Sequence, residues 1–164
     1  MRVIIHDLND NEVCKFKFSA DDKIIFAKKC NKHCIGCFSC WIKTPSKCIL
    51  KDEFSDIVHY LKEADELIII SECRYGCYSG EVKRVLERCL GYVLPYFTIR
   101  NNEIHHQSRY NKELKLSTYF YGDISKEEQE LLNQLVIANS INLETVGNKV
   151  TCVKNIKELV KCIH

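Results

Sequence analysis

Short apolar segments alternate along this chain with longer segments in which apolar residues recur every three to four positions. The short runs are rich in Ile, Val and Tyr, which is typical of strands buried inside a sheet. They lie at residues 3–5, 24–27, 67–70, 116–121 and 150–153. The longer segments have the period of amphipathic helices, and they lie at residues 54–64, 82–93, 131–136 and 156–163.

Two of the predicted helices carry a start signal. Ser125 is followed by Glu128, and Asn155 by Glu158, at the spacing of a capping box. Strands that alternate with helices favour a parallel sheet, because each helix returns the chain to the same edge. The sequence therefore predicts an α/β fold with a doubly wound five-stranded parallel sheet, helices on both faces, and a single domain over residues 1–164. Such sheets bind ligands beyond the carboxyl ends of their strands.

Two segments depart from this alternation. Only fifteen residues separate Asp7 from the second predicted strand at Lys23, so the first helix must be shortened or replaced. Within them, residues 14–18 alternate between apolar and polar side chains, which predicts a strand. Residues 96–114 are polar and fit neither period, and they are either a hairpin-like insertion or an oligomer contact.

Charge and composition limit the classes of function. The 24 basic and 22 acidic side chains leave a net charge of +2, which predicts neither nucleic-acid binding nor an electrostatic membrane anchor. No apolar stretch reaches membrane-spanning length and the first residues do not form a signal peptide, so we expect a cytoplasmic protein. Eleven cysteines there favour metal or redox chemistry over disulfides, since the cytosol keeps thiols reduced. No nucleophile elbow, P-loop or dinucleotide glycine run is present.

Four of the cysteines form a compact motif, C-x2-C-x2-C-x7-C. They are Cys34, Cys37, Cys40 and Cys48. Two overlapping C-x2-C turns bring three sulfurs to one side of a loop, and the fourth thiol can close an all-thiolate iron–sulfur shell. Two alternatives remain open at this point. The motif can be a loop of reduced thiols without metal, or a zinc site, although zinc knuckles usually separate two cysteine pairs by a longer loop.

The thiol motif and a second segment together resemble a known family. Residues 36–45 read GCFSCWIKTP and are followed by Cys48, Lys51 and the acidic pair Asp52-Glu53; residues 71–83 read SECRYGCYSGEVK, with Leu86-Glu87-Arg88 beyond them. These segments resemble the signature loops of flavodoxin-like NADPH-dependent FMN reductases and iron–sulfur flavoproteins.

The resemblance implies a flavodoxin-like fold, a non-covalent FMN, and a homodimer or homotetramer. It implies electron exchange between a reduced nicotinamide nucleotide, the flavin and an unidentified acceptor, with no single catalytic side chain because the flavin accepts the hydride. The thiols of Cys34, Cys37, Cys40 and Cys48 would bind a four-iron four-sulfur cluster. The residues that would lie against the flavin ring are Tyr75, Gly76, Cys77, Tyr78, Ser79, Gly80 and, at its pyrimidine edge, Gly122.

One family feature is missing. Where relatives bind the FMN phosphate in a loop rich in small hydroxyl residues, this chain reads HDLNDNE at residues 6–12, with three carboxylates. Like charges disfavour a phosphate there, so FMN would need Lys28, Lys29, Lys32 or a neighbouring subunit. The alternative is a flavin-free relative that serves as a metal-thiolate or protein-binding module.

Overall fold

The computed structural model describes residues 1–163, and its main element is a five-stranded parallel sheet. The spatial order is β2-β1-β3-β6-β7. The strands are β1 (Arg2–His6), β2 (Lys23–Phe26), β3 (Glu66–Glu72), β6 (Leu114–Tyr121) and β7 (Thr145–Val153). Two further strands, β4 (Val93–Arg100) and β5 (Glu103–Ser108), pair with each other as a separate antiparallel hairpin.

Helices cover both faces of the sheet. They are α1 (Asp10–Val13), α2 (Ser39–Ile42), α3 (Ile57–Glu63), α4 (Gly80–Glu87), α5 (Lys126–Leu143) and α6 (Ile156–Val160). Alternate residues of β1 point to opposite faces. Ile5 packs into the core beneath α3, α4 and α5, whereas Ile4 packs into a smaller core beneath α6 and the segment after β1. This confirms the predicted doubly wound α/β fold.

Several local predictions are also confirmed. The first helix is only four residues long. Ser125 and Asn155 cap α5 and α6, each accepting a hydrogen bond from the backbone N–H three residues later. Residues 96–114 contain the hairpin that was one of two alternatives for this segment. Within residues 1–163, no helix combines the length and the apolar character needed to cross a membrane.

Two predicted elements are wrong. Residues 14–18 are not a strand, because after α1 the chain continues in turns, with Phe16 N–H bonded to the Val13 carbonyl, and has no neighbouring strand. The helix predicted over residues 82–93 ends at Glu87. A separate 3-10 turn (Leu90–Tyr92) follows it and leads into β4. The apolar spacing continues through that turn, so the pattern did not mark the end.

Candidate functional site

The candidate site lies at the carboxyl end of the sheet. The chain passes from β1 outward to β2 and then to β3 on the other side of β1, which leaves a crevice between the ends of β1 and β3. Three loops border this crevice, at residues 7–9, 73–79 and 122–125. The loop that holds the four-cysteine motif follows β2 and packs near the other end of α4.

Side-chain hydrogen bonds anchor the cysteine loop to residues at both ends of the hairpin. The indole N–H of Trp41 donates to the carbonyls of Leu90 and Val93, at 3.2 and 2.9 Å. The Tyr110 hydroxyl donates to Ser46 Oγ at 2.7 Å. These contacts join residues 49 to 64 positions apart, so the shape of the loop depends on the folded core.

Backbone geometry brings the loop into close contact with the core. Gly36 and Phe38 adopt left-handed conformations, with φ of 63° and 54°, and these reverse the chain between successive cysteines. The Phe38 ring stacks on Trp41 with centroids 5.1 Å apart. A Cβ on Gly91 would lie 3.2 Å from Cys40 Cβ, so a side chain at this position would have to push the loop outward by a few tenths of an ångström.

All four predicted metal ligands line one narrow groove. Cys34, Cys37, Cys40 and Cys48 share it with the side chains of Phe38, Ile49, Glu87 and Arg88. All four are free thiols. Across residues 1–163, however, no three ligating side chains converge closely enough to hold a metal ion. The donor set therefore fits an iron–sulfur cluster in type and number, but the four thiols do not converge on one centre in this arrangement.

The thiols influence one another electrostatically. A hydrogen bond from Ser39 lowers the pKa of the exposed Cys37 thiol. Burial raises the pKa of Cys40, and the charges of Cys48, Cys34 and Cys37 raise it further. The thiols are therefore close enough to shift the pKa of Cys40, and they differ in burial, since Cys37 is exposed and Cys40 is partly buried.

A buried arginine in the groove wall is the main feature that the sequence did not indicate as part of the site. The Arg88 side chain has no exposed surface and forms two hydrogen bonds of 2.7 and 2.6 Å with Asp52. Hydrogen bonding to the Arg88 guanidinium is the main reason that the pKa of Asp52 is lowered. The resemblance included Asp52 and Arg88 among its matching residues but gave them no role, and Arg88 also lies three residues after Val85, on the apolar side of the helical pattern.

The loop expected to contact a flavin ring is a tight turn after β3. Arg74 and Cys77 exchange two backbone hydrogen bonds of 3.0 Å. Between them, Tyr75 and Gly76 both have positive φ, of 55° and 70°, as in a type I′ turn. Tyr75 is 93% exposed at the tip. It is therefore the aromatic ring of this loop that is open to a ligand.

Other residues of the turn have structural roles. Tyr78 is buried, packs on Phe120 with centroids 5.2 Å apart, and accepts a hydrogen bond from Asn139; burial raises its pKa to about 12. Ser79 is buried as the N-cap of α4. A Cβ on Gly76 would meet Leu131 at 2.9 Å, so Gly76 makes room for α5. The contacts of Gly76, Tyr78 and Ser79 with a flavin ring stay predictions, and the packing gives each of these residues a structural role as well.

Gly80, Gly122 and Cys77 remain candidates for ligand contact. A Cβ on either glycine would meet nothing within 4 Å. Gly122 has φ of 131° and lines an open groove of about 380 Å³. Cys77 is half-buried beside the exposed Tyr75.

The loop after β1 does not fit an FMN phosphate. Asp7 is buried there, and its carboxylate accepts hydrogen bonds from the Glu72 N–H at 2.9 Å and the Tyr121 hydroxyl at 3.0 Å. At the start of α1, the Asn9 N–H already donates to Glu12 Oε2 at 2.7 Å. A phosphate at this place would face carboxylates and a backbone donor that is already bonded.

A neighbouring groove offers cations instead. It has a volume of about 430 Å³ and is lined by Lys28 and Lys29, together with Asn9 and Asp10. Lys28 Nζ donates to Asn9 Oδ1 at 2.6 Å. Lys32, the third lysine considered, binds the Lys51 carbonyl elsewhere. Lys28 and Lys29 therefore line a groove beside the crevice, whereas Lys32 does not.

The strand order and the position of the crevice define a flavodoxin-like α/β protein. Among solved structures, the chain is similar to an FMN-dependent NADH-azoreductase from Bacillus anthracis str. Ames Ancestor, determined in complex with FMN. The TM-score is 0.57 over 98% of this chain and 92% of that chain, at 12% sequence identity. No family model and no curated protein matches the chain. The structural likeness shows the shared fold.

Proposed function

We propose that the protein is a flavin-dependent oxidoreductase that carries an iron–sulfur cluster as a second redox group. The observation that carries the proposal is that Cys34, Cys37, Cys40 and Cys48 line one groove in a flavodoxin-like fold. A bound cluster supplies one-electron transfer, and a bound flavin supplies hydride acceptance. The cysteines would provide thiolates, and Phe38, which stacks on Trp41, lies beside them in the groove.

The geometry of α4 supports a connection between the two sites. The turn at residues 73–79 precedes the first residue of α4, and Arg88 of the thiol groove directly follows its last residue. Eight helical residues span about 12 Å. The proposed flavin ring and the thiol groove would thus lie at opposite ends of one short rigid helix.

For the flavin, we propose an arrangement without the usual phosphate loop. Tyr75 would pack against the ring, and Lys28 and Lys29 would bind the phosphate. The groove of these lysines follows β2, and Tyr75 follows β3, two strand spacings away. Two spacings are about 10 Å, which agrees with one extended ligand crossing the end of β1.

A reduced nicotinamide nucleotide is the proposed electron donor, and the acceptor is a further redox partner in the cytoplasm.

The proposal also includes a homodimer or homotetramer. Its support is the hairpin, on which Tyr96, Phe97, Ile99 and Ile104 are each at least 64% exposed. Sedimentation velocity of the wild type and of Ile99→Glu tests this part. A monomeric wild type would contradict it.

A flavin-free metal-thiolate module is the second candidate function. The observation that favours it is Asp7, whose buried carboxylate occupies the position after β1 that an anion would need. In this candidate the four thiols bind metal and the crevice stays without a cofactor. The same experiment separates the two candidates.

The test is purification without oxygen, followed by absorbance spectroscopy and assays of flavin, iron and acid-labile sulfide. Flavin bands with iron and sulfide support the proposed oxidoreductase. Iron and sulfide without flavin, in a protein that rejects added FMN and riboflavin, support the second candidate. Cys37→Ser should lower bound iron, whereas Cys14→Ser, which removes an exposed thiol outside the groove, should leave it unchanged. Unchanged iron in Cys37→Ser would remove Cys37 from the ligand set.

A further inference from the structure

A charged pair is buried behind the four thiols. The Arg88 side chain has no exposed surface, and its two hydrogen bonds to Asp52 hold both guanidinium Nη atoms in place. Nη1 also lies 3.8 Å from the sulfur of Cys30. Within residues 1–163, Arg88 Nε has no hydrogen-bond partner. A buried pair of this kind contributes little net stability, because both charges lose their hydration.

The position of the pair distinguishes it from an ordinary surface ion pair. Arg88 forms part of the wall of the thiol groove, together with Cys48 and Cys40. Asp52 lies only four residues after Cys48 and is partly exposed, at 18% of its side chain. The cation is therefore inside the groove wall, and its counter-charge is displaced toward solvent. Charges act over longer distances in such poorly hydrated surroundings.

We infer that Arg88 and Asp52 set the electrostatic potential of the four-thiol groove, with Arg88 favouring the more negatively charged state of whatever group the thiols hold. The inference rests on the proposed redox function of this groove. One-electron reduction adds one negative charge to the thiol site, and the electron comes from an added one-electron reductant. Arg88 stabilises that charge and Asp52 opposes it. Arg88 is a positioning residue in this role, since it acts through the field at the thiols.

The two partners predict opposite effects, and a purely structural role does not. Arg88→Gln removes the cation and leaves the carboxylate, so the midpoint potential of the iron-loaded protein should become more negative. Asp52→Asn leaves the cation without its counter-charge, so the potential should become more positive. Arg88→Lys keeps the charge and should remain near the wild type. Arg84→Gln is the matched control, because Arg84 lies one turn earlier on α4 and binds the Cys30 carbonyl.

A second measurement uses the metal-free protein and is independent of any cluster. Both iodoacetate and iodoacetamide alkylate thiolates, forming an S–C bond with loss of iodide, but only iodoacetate is an anion. At one pH, the ratio of their rates at the groove thiols reports the local potential. We expect this ratio to fall severalfold in Arg88→Gln and to rise in Asp52→Asn, with Arg84→Gln unchanged.

The outcomes separate the inference from the proposed function. A wild type that takes up no iron during anaerobic reconstitution contradicts the cluster, and the alkylation ratios still decide the role of Arg88. Ratios that stay constant, or that move in the same direction in both variants, overturn the inference. If Arg88→Gln fails to fold, as its thermal unfolding will show, Asp52→Asn and Arg88→Lys carry the test, and an unchanged ratio in Asp52→Asn overturns it.

Discussion

The hydroxyl of Tyr121 donates a 3.0 Å hydrogen bond to the carboxylate of Asp7, which joins the ends of β6 and β1 across β3. The Glu72 N–H also donates to Asp7, at 2.9 Å. A carboxylate with these partners fills the place after β1 at which flavodoxin-like proteins accept a ligand. The crevice is thus closed at one end by the protein's own anion.

Burial raises the pKa of Asp7, even though its hydrogen bonds act in the opposite direction. A carboxyl group with a raised folded-state pKa stabilises the fold below its unfolded-state pKa, and this contribution is lost as the pH rises through the folded-state pKa. We therefore expect Asp7→Asn to increase the free energy of unfolding at neutral pH by roughly 1 kcal/mol. The gain should disappear in acid.

Urea unfolding of Asp7→Asn and of the wild type, from about pH 3 to about pH 7, measures this effect. Asp10→Asn is the control, since it removes an exposed charge three residues away. A variant that is less stable than the wild type at neutral pH would show that the hydrogen bonds outweigh the burial of the charge.

His6, the residue before Asp7, should have the opposite effect on the pH dependence of stability. It is fully buried, its Nδ1 accepts a hydrogen bond from the Leu8 N–H at 3.2 Å, and burial lowers its pKa to about 4. Protonation in the unfolded chain therefore destabilises the fold as the pH falls from about 6.5 to about 4, by up to about 3 kcal/mol.

We expect His6→Asn to flatten this acid dependence, because asparagine keeps an acceptor for Leu8 and does not titrate. The measurement is the free energy of unfolding at several values between about pH 4 and pH 6.5. An exposed histidine elsewhere gives the control, and His33→Asn serves this purpose. If the two variants retain the same slope as the wild type, His6 is not the group that titrates.

The sequence predicted the parts of this fold that depend on neighbouring residues. The capping residue Ser125 and its Glu128 partner are three positions apart, and their signal was correct. Sequence reasoning named Asp7, Asp52 and Arg88 but missed their hydrogen bonds, because the partners are distant: Asp7 binds Tyr121, 114 positions later, and Asp52 binds Arg88, 36 positions later. No local pattern records whether such charges are buried, because burial follows from how the sheet and helices pack.

Gly76 is constrained both by its backbone and by its neighbour. Its φ is 70°, and a Cβ would lie 2.9 Å from Leu131. Gly76→Ala should therefore lower the free energy of unfolding by about 1–2 kcal/mol. Adding Leu131→Ala should recover only a fraction of the loss, because it removes Leu131 Cδ1 but leaves Leu131 Cβ, the other atom at 2.9 Å, and the left-handed conformation remains.

Gly147→Ala is the control for this substitution. A Cβ there meets nothing within 4 Å, and its φ is not in the left-handed region. Thermal and chemical unfolding of the three variants and the wild type checks the prediction. Full recovery in the double variant would assign the whole effect to Leu131 and none to the turn.

Tyr75 should contribute to ligand binding without contributing to stability. It is 93% exposed, so Tyr75→Ala should change the free energy of unfolding by less than about 0.5 kcal/mol. Loss of an aromatic contact should weaken riboflavin and FMN to a similar extent, by roughly fivefold to tenfold, or about 1–1.4 kcal/mol. Fluorescence titration measures both affinities. Tyr96→Ala, on the exposed hairpin, is the control, and equal losses in both variants would exclude a specific role for Tyr75.

The FMN phosphate should bind lysines, and it should add little to the affinity for FMN. Lys28 and Lys29 are exposed, so each should add less than about 1 kcal/mol to FMN binding, with strong screening by salt. Lys28→Ala should weaken FMN up to roughly fivefold and leave riboflavin unchanged, because riboflavin has no phosphate. Lys32→Ala, which removes a lysine bonded to the Lys51 carbonyl, should affect neither. Equal losses for both ligands in Lys28→Ala would mean that Lys28 supports the loop and not the phosphate.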